Sequence, residues 1–154
     1  MILRVVLAAF CLVALAVSGL SVYVRFTPLD TARWHADVVT SEPPARGTCT
    51  ENITVLQNGA RSVCVLPGTP AEILARLDAT ALSTRRTTRL AGSPGEGRVS
   101  WVSRSKLIGY PDIITAQTTA QTTGTRLDVF SRQVYGGADF GVNAARLQDW
   151  LTTF

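Results

Sequence analysis

Residues 69–82 read TPAEILARLDATAL, and this stretch decides the fold. Thr69 offers a hydroxyl as N-cap, Pro70 fixes the first helical position, and Glu72 stands three residues after the cap, the spacing of a capping box. Ile73, Leu74, Leu77, Ala81 and Leu82 recur at helical spacing, so one face of this helix is buried.

The segments on either side read as strands. Upstream, Ile53 to Gln57 alternates weakly, Asn58-Gly59 is a turn dipeptide, and Arg61 to Leu66 returns as a short apolar strand. Downstream, Arg85 to Ala91 is Thr-rich and runs into the turn Gly92 to Gly97. Arg98 to Ser105 alternates, with Val99, Trp101 and Ser103 on one face and Val102 and Arg104 on the other. Ile113 to Thr119 and Leu127 to Arg132 are further strands. The tandem Ala116-Gln117-Thr118-Thr119 and Ala120-Gln121-Thr122-Thr123 leaves their register open, because a slip finds similar partners. After the glycine-rich Tyr135 to Asp139, a final helix begins near Gly141 with Leu147, Trp150, Leu151 and Phe154 as its apolar stripe. Strands in runs with helices against one side predict an α+β domain over 48–154, a small antiparallel sheet with two helices packed on it.

Further out lies Val5 to Val24, VVLAAFCLVALAVSGLSVYV, 20 residues without a charge. At ~1.5 Å per residue such a helix is ~30 Å long, the hydrocarbon thickness of a bilayer. Arg4 and Arg25 bracket it, and Tyr23 and Phe26 set aromatic rings near one interface. Ala14-Leu15-Ala16 fits a signal-peptide cleavage site, but apolar character runs on for eight residues past it, which favours an uncleaved signal-anchor over 1–26. Phe10 before Cys11 does not fit lipidation. Residues 27–47, with Pro28, Pro43 and Pro44 and no sustained period, read as a juxtamembrane linker in which Trp34 and His35 suit the headgroup level. A long C-terminal domain translocates largely regardless of flanking charge. The expected address is the bacterial inner membrane, single-pass, with the C-terminal domain periplasmic.

Composition sets limits on function. The 154 residues are 46% hydrophobic and 17% charged, which excludes a disordered or collagen-like chain. Lys+Arg is 15 against Asp+Glu 11; without residues 1–26 the balance is 13 to 11, only +2, so no nucleic-acid partner is expected. Lys106 is the only lysine. Cys11 reads as a small hydrophobe. Cys49 and Cys64 suit one disulfide in an exported domain, stabilising by about 3 kcal/mol through chain entropy, with two reduced thiols as the alternative. The sequence has no CxxC pair and a single histidine, His35, so neither a zinc site nor another cofactor is expected.

Several motifs carry a resemblance. Thr88-Arg89-Leu90-Ala91-Gly92-Ser93 is followed by Ser103-Arg104-Ser105, Gly109-Tyr110-Pro111-Asp112, Phe130-Ser131-Arg132, Asp139 to Arg146, and Trp150-Leu151. From about Trp34 to the C-terminus the chain resembles domain-of-unknown-function family 1499. The resemblance implies a small envelope or organelle-lumen domain and brings no activity with it. Cys49 and Cys64 lie outside the family pattern.

The polar members of these motifs are the candidate site. Arg89, Arg104 and Arg132 fall on or beside strands, Asp112 and Asp139 at strand ends, and Asn143 in the first turn of the last helix. Together they would make an anion-binding patch, since a guanidinium forks around carboxylate or phosphate and a helix N-terminus adds free amides. The plainer reading pairs Arg104 or Arg132 with Asp112 or Asp128 and leaves Asp139 as a helix cap. No GxSxG, HExxH or P-loop is present. Ser103, Ser105 and Ser131 each neighbour an arginine but lack a base, because His35 lies in the linker. No catalytic residue is assigned. The expected function is a non-catalytic binding or interaction module, held to the lipid bilayer by its N-terminal helix and recognising an anionic group on a lipid, a small molecule or an envelope protein. One alternative is a small hydrolase or transferase using Asp112 and Asp139 with arginines. The other is a scaffold component of an envelope complex, working through an apolar patch around Trp101 or Trp150.

Overall fold

The capping box of residues 69–72 forms. In the computed structural model, which describes residues 1–41, 43–44 and 47–154, Thr69 Oγ1 accepts from the Glu72 amide at 3.3 Å and Glu72 Oε2 accepts from the Thr69 amide at 3.0 Å. This opens helix α3, Pro70–Ser83. Before it come α1 (Ile2–Phe26), a short α2 (Thr31–Trp34), β1 (Ile53–Leu56) and β2 (Gly59–Leu66). After it come β3 (Thr87–Ser93), β4 (Arg98–Arg104), β5 (Pro111–Gln121), β6 (Gly124–Gln133) and α4 (Val142–Leu151). Of the stretch 27–47, residues 42, 45 and 46 lie outside the described residues.

The six strands form one antiparallel sheet in the order β1-β2-β6-β5-β4-β3. Helices α3 and α4 cover one face, so the class is α+β. Alternation sends Val99 and Trp101 of β4, Ile114 and Ala116 of β5, and Leu127 and Val129 of β6 into the core. There they meet Ile73, Leu74, Leu77 and Ala81 of α3 and Leu147, Trp150 and Leu151 of α4. Each large side chain buried in this way stabilises by about 1.5–3 kcal/mol. The rings of Trp101 and Trp150 meet edge to face, 5.7 Å apart. Both are buried, so no apolar patch surrounds them on the surface. Trp101 Nε1 donates to Asp78 Oδ1 of α3 at 2.8 Å, which satisfies the polar end of the indole inside the core.

The β5–β6 register is single. Gln121 pairs with Gly124 across a two-residue turn, so the second AQTT repeat supplies the strand end and the turn itself. Gly124 has φ +143°, and a Cβ there would stand 2.6 Å from the Leu66 carbonyl oxygen. Only glycine fits this position, and that removes the slip the repeat would allow. Cys49 and Cys64 are joined by a disulfide, which ties the chain ahead of β1 to the middle of β2.

The opposite face of the sheet is covered by residues 30–41, running along it as a strap. Asp30 caps α2 by accepting from the Ala32 and Arg33 amides. The Trp34 carbonyl accepts from Arg132 Nη2 at 2.9 Å and from Thr115 Oγ1 at 3.3 Å. His35 Nδ1 lies 2.9 Å from Ser100 Oγ, Val38 is buried, and Thr40 accepts from Arg126 Nη2. Trp34 and His35 are thus engaged with the sheet. Beneath the strap Ser100, Thr115 and Asp128 are buried and hydrogen-bonded, as polar groups removed from water must be.

Helix α1 is 25 residues long, apolar, and long enough to cross a membrane. Val24 is its one buried residue.

Candidate functional site

Four connections gather at the end of the sheet where α1 arrives: 57–58 between β1 and β2, 84–86 between α3 and β3, 105–110 between β4 and β5, and 134–141 between β6 and α4. Loop 105–110 is shaped by Ser105, whose Oγ accepts from the amides of Gly109 and Tyr110, each at 3.0 Å. The end of α1 is fastened to this loop. Ser21 Oγ donates to the Ile108 carbonyl at 2.8 Å and Arg25 Nη2 to the Leu107 carbonyl at 3.1 Å. Arg104 closes β4 and bridges helix and loop, with Nη1 donating to the carbonyls of Val24 and Gly109, both at 3.1 Å. Gly109 has φ +91°, and a Cβ there would come within 2.7 Å of Arg25 Cγ. Burial, then the charge of Arg25, holds the Arg104 guanidinium below the usual arginine range.

Beside this junction is a cleft of about 520 Å³ between α4, the 84–86 turn and loop 105–110. Its lining includes Arg85, Arg86, Arg104, Lys106 and Arg146 but only one carboxylate, Asp149. Among the described residues Arg85, Arg86 and Lys106 form no ion pair. Arg86, at φ +62°, uses Nε to hold the Arg104 carbonyl at 3.1 Å, leaving the rest of its fork open. Arg146 belongs to the wall behind. Its Nη2 pairs with Asp112 Oδ2 at 2.8 Å, and its Nη1 donates to Asn143 Oδ1 and, at 3.2 Å, to Ser131 Oγ. Burial pushes the Asp112 carboxyl up, and Arg146 opposes that shift. Asn143 is buried, and its Oδ1 also accepts from Ser131 Oγ. Asp139 accepts from the Gly141 and Asn143 amides, each at 3.0 Å. Burial works to raise its carboxyl, but those hydrogen bonds prevail and hold it below the usual carboxylate value.

The six residues singled out from the sequence therefore fall in three places. Arg104 lines the cleft, with Asp112, Asn143 and Asp139 in or next to the wall behind it. Arg89 lies farther along the helix face and is paired with Asp78 of α3 through Nε and Nη2. Arg132 is on the opposite face of the sheet, its guanidinium between the rings of Trp34 (5.2 Å) and Phe130 (4.9 Å). Burial, then the charges of Arg61 and Arg33, lowers its pKa. The ion pairs also differ from those read from the sequence: Asp112 pairs with Arg146 and Asp128 with Arg126. Arg146 stands three residues after Asn143 on one face of α4, and Arg126 two before Asp128 on one face of β6. Both spacings are visible in the sequence once the partner is known. Arg85, Arg86 and Lys106 had no signal beyond charge.

A larger hollow of about 630 Å³ lies at the far edge of the sheet, between Thr40, Ser41 and Pro43 and the β1–β2 hairpin. Among the described residues it is lined by one arginine, Arg61, and one glutamate, Glu51, which balance. The basic cleft is the better candidate despite its smaller size, because its charge is unbalanced. Among the described residues no group of three or more His, Cys, Asp or Glu side chains could hold a metal ion. Ser100, the serine that meets His35, is buried beneath the strap and out of reach of a substrate.

A family model described as a protein of unknown function, DUF1499, matches residues 41–154. No curated protein matches the chain.

Proposed function

We propose, from the premise that this chain belongs to the DUF1499 family, that it is a membrane-anchored, non-catalytic binding module whose basic cleft takes an anionic group. The reading includes the address expected from the sequence, with α1 as an uncleaved anchor in the bacterial inner membrane and the domain on the periplasmic side. One observation carries it: Arg85, Arg86 and Lys106, none in an ion pair among the described residues, line a concavity next to the end of an apolar helix. Unbalanced guanidinium groups in a concave site suit phosphate or carboxylate, which they grip in a fork. The cleft's place beside α1 favours a phosphate carried by a lipid, although a free phosphate offers the same chemistry. Arg104 serves by fixing loop 105–110 and hence Lys106.

A hydrolase or transferase using Asp112 and Asp139 has less support. The first carboxylate is occupied by Arg146 and the second by backbone amides. A scaffold role through Trp101 or Trp150 has none, since both rings are in the core.

The test uses the full chain in a neutral detergent. A ligand that binds only the folded state raises the thermal transition. Dihexanoyl phosphatidylglycerol and inorganic phosphate are added separately to the wild type and to the double variant Arg85→Ala/Lys106→Ala. The expected result is a rise with the lipid that is lost in the double variant, whose own transition is unchanged. A rise with inorganic phosphate alone would assign a free anion instead. No rise with either, or an equal rise in the variant, rejects the cleft as a binding site.

A further inference from the structure

The two ends of the sheet differ in what they expose. At the far end the turns are 67–69, 94–97 and 122–123, made of Pro, Gly, Thr and Glu96, with no exposed large apolar side chain. At the end joined to α1 the pattern reverses. Of the nine exposed large hydrophobic residues that follow α1 among the described residues, six stand here: Leu56, Leu107, Tyr110, Tyr135, Phe140 and Val142. Leu107 is 82% exposed and Phe140 95% exposed, so neither contributes to the core. Tyr110 and Tyr135 lie with ring centroids 6.1 Å apart, which brings the β4–β5 and β6–α4 loops together in one surface.

Phe140 is also held at φ +52°, in the left-handed region that a bulky residue enters only at a cost. No internal packing offsets that cost, because the ring points into solvent. Arg25, Arg86 and Lys106 stand around the same surface, while its acidic neighbours Asp112 and Asp139 are engaged with Arg146 and with the amides of α4. An apolar and aromatic surface with basic side chains around it is what an interfacial surface requires.

The height of this surface relative to α1 is fixed by hydrogen bonds. Ser21 and Arg25 hold the carbonyls of Ile108 and Leu107, and Arg104 holds that of Val24. Loop 105–110 is therefore level with the last turns of the apolar stretch. From Ser21 to Phe26 the helix rises about 8 Å, close to the thickness of one headgroup layer.

We infer that this end of the domain lies on the lipid bilayer, with Leu107 and Phe140 inserted at the boundary of headgroups and acyl chains and Tyr110 and Tyr135 at headgroup level. The inference rests on the reading that α1 spans the membrane, and it sets the mouth of the basic cleft at the lipid surface. The occupant of the exposed apolar surface is lipid, not a second protein, because the anchor is bonded to that same surface and carries it to the membrane boundary.

The test places nitroxide labels in the full chain, in a Cys11→Ala background, reconstituted into phosphatidylcholine/phosphatidylglycerol bilayers. Labels go at Leu107→Cys and Phe140→Cys, with Leu12→Cys as the mid-helix reference and Gly95→Cys as the far-end reference. Gly95 has open space around its Cβ position. Collision rates with dissolved oxygen and with a polar nickel complex report depth. The expected result is oxygen-dominated relaxation at 12, 107 and 140 and nickel-dominated relaxation at 95. If 12 is in lipid while 107 and 140 are aqueous, docking is wrong and the anchor stands. If 12 is aqueous, the anchor reading fails and docking fails with it. Labels at 107 and 140 shielded from both reagents would put a protein on this surface and overturn the assignment to lipid.

Discussion

The two faces of the sheet are held by different physics. The helix face is largely dry: Trp101, Ile114, Leu127 and Val129 meet α3 and α4, and most of its stability scales with apolar area removed from water. The strap face buries a polar layer beside Val102 and Ile113: Asp128 and Arg126, and Ser100 and Thr115, are buried, and Arg132 is half-buried under Trp34, where residues 30–41 cover and partner them. On the first face an error leaves a cavity. On the second it leaves an unpaired charge.

Removing a side chain from each face tests that contrast. Trp101→Ala empties the centre of the helix face and removes one hydrogen bond to Asp78, which keeps its pairing with Arg89; a loss of about 3–5 kcal/mol is expected from chemical denaturation. Asp128→Ala leaves Arg126 buried without its carboxylate, with about 3 kcal/mol lost. The sharper distinction is in repair. A second change, Arg126→Met, should recover much of that loss, because an apolar pair does not need the missing charge. Recovery absent in the double variant would mean that the strap face is held by packing like the other. Thr69→Ala removes the cap of α3 on the dry face and should cost about 1 kcal/mol, measured in the same way.

The smallest effect concerns pH. Burial, then the charge of Arg98, lowers the His35 pKa from the ordinary 6.5, with Glu96 opposing. The folded state therefore favours neutral imidazole, and the unfolded chain takes up the proton first as pH falls. Stability is at its full value above 6.5, declines as pH falls through 6.5 towards the lower folded value, and levels below it. Thermal transitions of wild type and His35→Gln across this window should converge as pH falls, because the variant lacks the slope. Parallel curves would remove His35 from the strap's contribution.

The same contrast explains what the sequence disclosed. The helix face was legible because its residues repeat at 3.6 in α3 and at 2 in β4, and because Thr69, Pro70 and Glu72 mark a helix start by local chemistry. The strap has no period. Its residues are chosen by what they meet across the sheet, such as His35 meeting Ser100 sixty-five positions away. The candidate site was legible in part. Arg104, Asp112, Asp139 and Asn143 do gather near one end of the sheet, but Arg89 and Arg132 carry the same side chain and are engaged elsewhere. Nothing local separates a guanidinium that binds a neighbouring carbonyl from one left open. Leu107 and Phe140 are single letters in loops, and only the strand order reveals that they share one end with α1.

Lys106 provides the most direct measurement, since it is the only lysine. Reductive methylation with ¹³C-formaldehyde gives it one side-chain signal, separate from that of the N-terminal amine. In the full chain, adding dihexanoyl phosphatidylglycerol should shift the Lys106 signal progressively to saturation, and Arg85→Ala should weaken that response. A Lys106 signal that stays in place while lipid is added would contradict an anion-binding cleft at this end of the sheet.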